Sequence, residues 1–115
     1  MSIDIDSIRS KADRASMLLN AMGNRNRLMI LCQLVNGERS VGKLAELLEA
    51  RQSTVSQHLA LLRRDGFVAS RRERQTQYYS LVGDEVRSVL ETIQSLYCTP
   101  GAKRVRRKRA VWRGR

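Results

Sequence analysis

Apolar residues recur along this chain at helical spacing in five stretches and at strand spacing in two. Ile8, Ala12, Ala15, Leu19 and Met22 predict a first helix over residues 6–22, broken by Gly23-Asn24. Leu28, Leu31, Cys32 and Val35 mark the inward face of a second helix, about 25–36, with Asn36-Gly37 as a left-handed stop. Ser40 caps a third helix that turns Val41, Leu44, Ala45 and Leu48 inward. Glu49-Ala50-Arg51 leads into a fourth, with Val55, Leu59 and Leu62 on one face and Arg63-Arg64 at its end. Past Asp65-Gly66 the period shortens. Phe67–Arg71 and Gln77–Leu81 read as strands joined through residues 72–76, and Glu73-Arg74 at the tip disfavours a tight primed turn. Asp84 and Glu85 suit the start of a last helix, which Val86, Val89, Leu90, Ile93, Leu96 and Tyr97 carry to Cys98 before Pro100-Gly101.

Two short amphipathic helices joined by about three residues have the spacing of a helix-turn-helix, and a basic hairpin behind them makes a winged helix. The expected fold class is mainly α with a small β-hairpin, in the order four helices, two strands, one helix. It occupies residues 1–98, followed by a basic tail over 99–115.

The fourth helix carries the candidate chemistry. Opposite its apolar stripe lie Gln52, Ser53, Thr54, Ser56 and Gln57, short hydrogen-bonding side chains suited to base edges in a major groove. It is read as a recognition helix. Arg72 and Arg74 of the wing suit phosphates or the minor groove, and Arg51, Arg63 and Arg64 suit the DNA backbone. His58, the single histidine, sits at the edge of the stripe and reads as structural.

Charge sharpens this only slightly. The net charge is +11, yet residues 1–98 hold 14 Lys and Arg against 11 Asp and Glu, whereas the tail holds 8 Lys and Arg and no acid. Lys103, Arg104, Arg106, Arg107, Lys108 and Arg109 would add sequence-independent DNA affinity, or simply extend into solvent. With Trp112 as its one large apolar residue the tail cannot build a core, and disorder is expected. No apolar run approaches the roughly 20 residues of a membrane span, and Asp4 and Asp6 near the start do not fit a secretory signal. A cytoplasmic chain is expected, so its two cysteines read as reduced, redox-active or metal-linked rather than as a permanent disulfide. Cys32, on an apolar face, is either ordinary packing or a redox thiol; Cys98, at a helix end, is the more accessible. No Cys-x-x-Cys pair, phosphate loop or acid–base constellation argues for an enzyme. A non-specific nucleic-acid-coating protein is the alternative from another class.

The chain also resembles a known family. Asn20-Ala21-Met22 with Arg27–Leu31, Ser40-Val41-Gly42, Ser56-Gln57-His58-Leu59, Leu62-Arg63, Asp65-Gly66 and Gln75–Tyr79 look like the ordered motifs of the ArsR/SmtB repressors, over roughly residues 15–98. The resemblance implies a homodimeric winged-helix repressor that binds a palindromic operator in double-stranded DNA and leaves it on a chemical signal. Its first and last helices would form the subunit interface. Where metal-sensing relatives carry thiolates, Val41-Gly42-Lys43-Leu44-Ala45 has no cysteine, and the last helix has no histidine. Neither a metal site nor a cofactor is expected. Ile30-Leu31-Cys32 and Leu96-Tyr97-Cys98 look like the cysteine contexts of the BigR/SqrR sulfide-responsive branch. That likeness implies a switch in which persulfide or polysulfide joins Cys32 to Cys98 and derepresses sulfide-detoxification genes; a general thiol-oxidation sensor or a non-inducible regulator is the alternative. Two departures stand out: Arg51 replaces the usual serine cap of the recognition helix, for which Ser53 could substitute, and Lys43 replaces the acid of a capping box.

Overall fold

The computed structural model describes residues 4–98. The tail over 99–115, with its basic residues, Trp112 and the Pro100-Gly101 stop, lies outside the described residues, as do the first three. The elements are α1 (Ile5–Met22), α2 (Arg25–Val35), β1 (Arg39–Ser40), α3 (Val41–Leu48), α4 (Gln52–Arg64), β2 (Val68–Glu73), β3 (Thr76–Leu81) and α5 (Asp84–Tyr97). This is the winged helix-turn-helix the hydrophobic pattern predicted.

Local chemistry sets the boundaries. Asn24 caps α2, its Oδ1 accepting from the Arg27 N–H at 3.1 Å, and Ser40 caps α3, its Oγ accepting from the Lys43 N–H at 3.1 Å. Arg27 also reaches back across the break, donating from Nε to Ala21 O and from Nη2 to Asn20 O, both at 3.0 Å. Asn20 O also accepts the Gly23 N–H at 3.2 Å, so Arg27 adds a second bond there and satisfies Ala21 O in the last turn of α1. After α4, Gly66 takes a φ of 85°, a turn that a side chain would strain, and Phe67 drops into the core.

The core is built where the amphipathic faces meet. Ile30, Leu31 and Leu34 of α2 are fully buried with Leu44 of α3, Val55, Leu59 and Leu62 of α4, Phe67, and Val86 and Leu90 of α5. Each such side chain contributes about 1.5–3 kcal/mol by leaving water. Arg14 of α1 clamps the edge, with its guanidinium 4.8 Å from the Phe67 ring centroid and Nε 3.4 Å from Glu85 Oε2.

Four details differ from expectation. The α1 stripe is only partly covered within the chain: Met22 is buried, together with Leu18 and Ala21 beside the stripe, whereas Ile8, Ala12, Ala15 and Leu19 are exposed. Similarly, α2 buries a broader face than its predicted stripe, adding Ile30 and Leu34. A third strand exists, because Arg39 and Ser40 pair antiparallel with Tyr79 and Tyr78, giving the sheet order β1-β3-β2. The hairpin is longer and tighter than predicted: Glu73 pairs with Thr76, leaving Arg74-Gln75 as a two-residue turn with Arg74 at φ 60°. Cross-strand pairing up to Glu73 thus overrides the poor turn chemistry of the tip, and Arg72 lies in β2, not in a loop.

Candidate nucleic-acid interface and thiol groove

Because Val55, Leu59 and Leu62 are buried at helical spacing, α4 must turn the intervening residues outward. Gln52, Ser53, Ser56 and Gln57 are exposed and Thr54 is half-buried. None of these side chains makes a hydrogen bond among the described residues, so their donors and acceptors remain available. Arg51, Arg63 and Arg64 are exposed around them; Arg64 Nε lies 3.2 Å from Asp65 Oδ1, whereas Arg51 and Arg63 have no carboxylate partner among the described residues. The start of α4 lacks a side-chain cap: Arg51 supplies none, and Ser53 does not substitute.

The start of α4 opens onto a concave surface of about 460 Å³ shared with the wing. Gln52 and Ser56 of α4, Gln75, Thr76 and Gln77 of the wing, and Ser40-Val41-Gly42 at the start of α3 line it. The sequence did not single out the wing glutamines or Thr76 as contacts; their place in the Gln75–Tyr79 motif is the signal it offered. Arg72 and Arg74 are exposed beyond this surface, with Arg72 Nε donating to the Arg74 carbonyl at 3.3 Å. His58 is half-buried, and burial, aided by the Arg27 charge, holds its pKa below the ordinary value. It faces neither the wing surface nor any cluster of ligands. Among the described residues no three His, Cys, Asp or Glu side chains gather as a metal site.

The two cysteines line a second, mainly apolar groove of about 710 Å³ between α2 and α5. Leu28, Met29 and Cys32 form its α2 wall, and Ile93, Leu96, Tyr97 and Cys98 its α5 wall. Both thiols are free, with Cys32 half-buried and Cys98 exposed just past the end of α5. Burial pushes the Cys32 thiol up, Gln94 opposes by hydrogen bonding to it, and negative charge on Cys98 adds to the rise. Gln94 was not singled out from sequence; its amide also donates to the Cys32 carbonyl at 3.2 Å. Seven residues earlier on α5, Arg87 Nη1 donates to the Val35 carbonyl at 2.8 Å. Together, Gln94 and Arg87 hold the last turns of α2 against α5.

Known proteins share this overall fold. Residues 24–70 match the pattern of the bacterial regulatory protein, arsR family. The transcriptional activator HlyU of Vibrio cholerae is 46% identical over 96 residues, covering 84% of this chain and 89% of that protein. The structure of reduced HlyU from the same organism superposes with a TM-score of 0.78 at 47% identity, covering 82% of this chain and 99% of that one. The transcriptional repressor BigR from Xylella fastidiosa superposes with a TM-score of 0.75 at 30% identity, covering 84% and 98%. A homodimeric winged helix-turn-helix DNA-binding domain from Mycobacterium bovis does so with 0.70 at 31%, covering 84% and 89%. With an outward polar α4, a basic wing and relatives that are regulators rather than enzymes, the chain belongs to the ArsR family of bacterial transcriptional regulators.

Proposed function

We propose that this protein is a cytoplasmic, homodimeric repressor that binds a palindromic operator and releases it when reactive sulfur joins Cys32 to Cys98. The observation that carries the reading is the placement of both free thiols in one groove between α2 and α5. In DNA binding, Gln52, Ser53, Thr54, Ser56 and Gln57 enter the major groove, and Gln52 or Gln57 pairs bidentately with adenine. Arg72 and Arg74 follow the flanking phosphates, with Arg51, Arg63 and Arg64 adding backbone contacts. The homodimeric relative supports pairing of two copies, and the relative named a repressor supports the sign of regulation.

In the chemical step the exposed Cys98 thiolate attacks a sulfur atom of a polysulfide and expels the shortened polysulfide, leaving a persulfide on Cys98. The Cys32 thiol then gives up its proton and attacks the sulfur bonded to Cys98, expelling hydrosulfide and closing a disulfide. The two thiols lose two electrons, and the polysulfide gains them. Attack by a lengthened persulfide would instead retain extra sulfur in the bridge. Either bridge draws Cys98 toward Cys32 and moves α5 relative to α2, which shifts the two recognition helices of a dimer relative to each other. A difference of about 1–3 kcal/mol in DNA affinity between the two states is enough for derepression.

The test is intact mass after polysulfide and, separately, after peroxide, alongside operator binding. A Cys32–Cys98 bridge formed with polysulfide, with DNA released only then, is the expected result. A plain disulfide with equal release by both reagents makes it a general thiol-oxidation sensor, and unchanged binding leaves the thiols as packing.

A further inference from the structure

Arg71, next to the wing cation Arg72, has a different environment from its neighbours. Its Nε and Nη2 donate to Oε2 and Oε1 of Glu38, both at 2.8 Å, and its Nη1 donates to Glu73 Oε1 at 3.0 Å. The guanidinium also lies 4.7 Å from the ring centroid of Tyr78, its cross-strand partner on β3. Isolated surface ion pairs contribute little, but a planar bidentate pair backed by an aromatic face is the strong form of the contact. The Glu38 carboxyl is held below its ordinary value, chiefly by the Arg71 hydrogen bond.

The position of this pair gives it meaning. The short strand β1 supports β3 only at Tyr78 and Tyr79. Beyond that point the pairs Arg72–Gln77 and Glu73–Thr76 form a two-stranded ribbon, an arrangement that is marginal on its own. Arg71 stands at the last register with a third strand behind it, and Glu38 lies in the segment between α2 and β1.

We propose that Glu38 is a positioning residue for DNA binding: by gripping Arg71 it fixes the angle at which the wing carries Arg72 and Arg74 relative to α4, and it keeps Arg71 itself off the phosphates. This rests on the DNA-binding reading of α4 and the wing. It also predicts a sign opposite to simple electrostatics. Removing an acid from a DNA-facing surface should tighten binding by reducing repulsion, whereas removing a positioning acid should weaken it.

The experiment compares wild type, Glu38→Gln, Glu38→Ala, Arg71→Ala and the Glu38→Ala/Arg71→Ala double variant. The probe is a duplex enriched from randomised DNA by the wild-type protein, read by binding and by hydroxyl-radical footprinting. Both Glu38 variants should bind roughly fivefold or more weakly, keeping protection under α4 and losing it at the flanks under the wing. In the Arg71→Ala background, Glu38→Ala should cause no further loss. Wild-type or tighter binding by Glu38→Gln, or the same Glu38 loss in both backgrounds, would overturn the proposal. Glu38→Gln preserves side-chain volume, and melting curves separate a lost footprint from a lost fold. If no duplex is enriched, the operator-binding reading fails and this one with it; an enriched duplex bound equally by all variants overturns this one alone.

Discussion

The Gln94 amide donates to the backbone carbonyl of Cys32 across the α2–α5 seam at 3.2 Å, and it also hydrogen-bonds the Cys32 thiol. The same residue therefore holds the inner thiol's helix in place and partly offsets the burial that keeps that thiol protonated. The folded state favours neutral Cys32, so this contribution to stability is full below the ordinary thiol pKa and is lost as pH rises through the raised value. At neutral pH iodoacetamide should label exposed Cys98 before Cys32, and Cys32 labelling should climb only at more alkaline pH than for a free cysteine. Gln94→Leu should delay it further. Peptide mass spectrometry across pH reads both, and faster labelling of Cys32 than of Cys98 would contradict the assignment of Cys98 as the attacking thiol.

Cys32→Ser and Cys98→Ser should each bind operator as wild type does and lose the response to polysulfide. Gel shift before and after treatment measures this. Continued release in both single variants would show that the bridge is not the switch.

Gln57 and Leu59 are two positions apart on α4 and should fail in opposite ways. Gln57→Ala should leave the melting temperature nearly unchanged and cost about 1–3 kcal/mol of specific DNA binding if the glutamine reads a base. Leu59→Ala, at a fully buried position, should cost about 2–5 kcal/mol of folding stability through lost burial and the cavity left behind. Anisotropy titration and thermal unfolding, run on both variants, separate the two effects.

Glu49 ends α3 in the left-handed region, at φ 54° and ψ 48°, and Arg74 opens the wing turn at φ 60°. Neither is glycine, so both carry local strain. Glu49→Gly should raise stability by up to about 1 kcal/mol with DNA binding unchanged. Arg74→Gly should also relieve the turn, but it removes a cation and should lower the salt dependence of DNA binding by roughly 0.9 in the log–log slope if that cation meets a phosphate. An unchanged slope would remove Arg74 from the interface.

His58 is kept neutral by burial, with the Arg27 charge adding to the effect. Its contribution to stability is present above the ordinary histidine pKa and is lost as pH falls through the lowered one. The imidazole NMR resonance should therefore titrate below the ordinary histidine value. His58→Gln should flatten the loss of stability between neutral and mildly acidic pH, and a midpoint at or above the ordinary histidine value would contradict this environment.

The recognition helix was legible because a single requirement, burial of Val55, Leu59 and Leu62, fixes where every other side chain on α4 points. The face that α1 turns to its own chain was not legible, because the stripe Ile8, Ala12, Ala15, Leu19 and Met22 overlaps the set Leu18, Ala21 and Met22, and periodicity alone cannot say which packs within the same chain. Strand β1 escaped because two residues offer no alternation to read, and its existence depends on Tyr78 and Tyr79, which lie far along the chain. The Glu38–Arg71 clamp was invisible for a related reason: 33 positions separate its partners, and only the folded sheet brings them together. Both cysteines were found by their contexts, but the groove that contains them is a product of α2–α5 packing.

The α1 face left uncovered in the single chain has a further consequence. Ile5 and Leu19 are 61% and 64% exposed there. Should a second copy cover that face, folding and pairing would be linked by mass action, and the melting temperature would rise with protein concentration. Dilution would then act twice, emptying the operator and loosening the chains themselves, so that scarce regulator is also short-lived regulator.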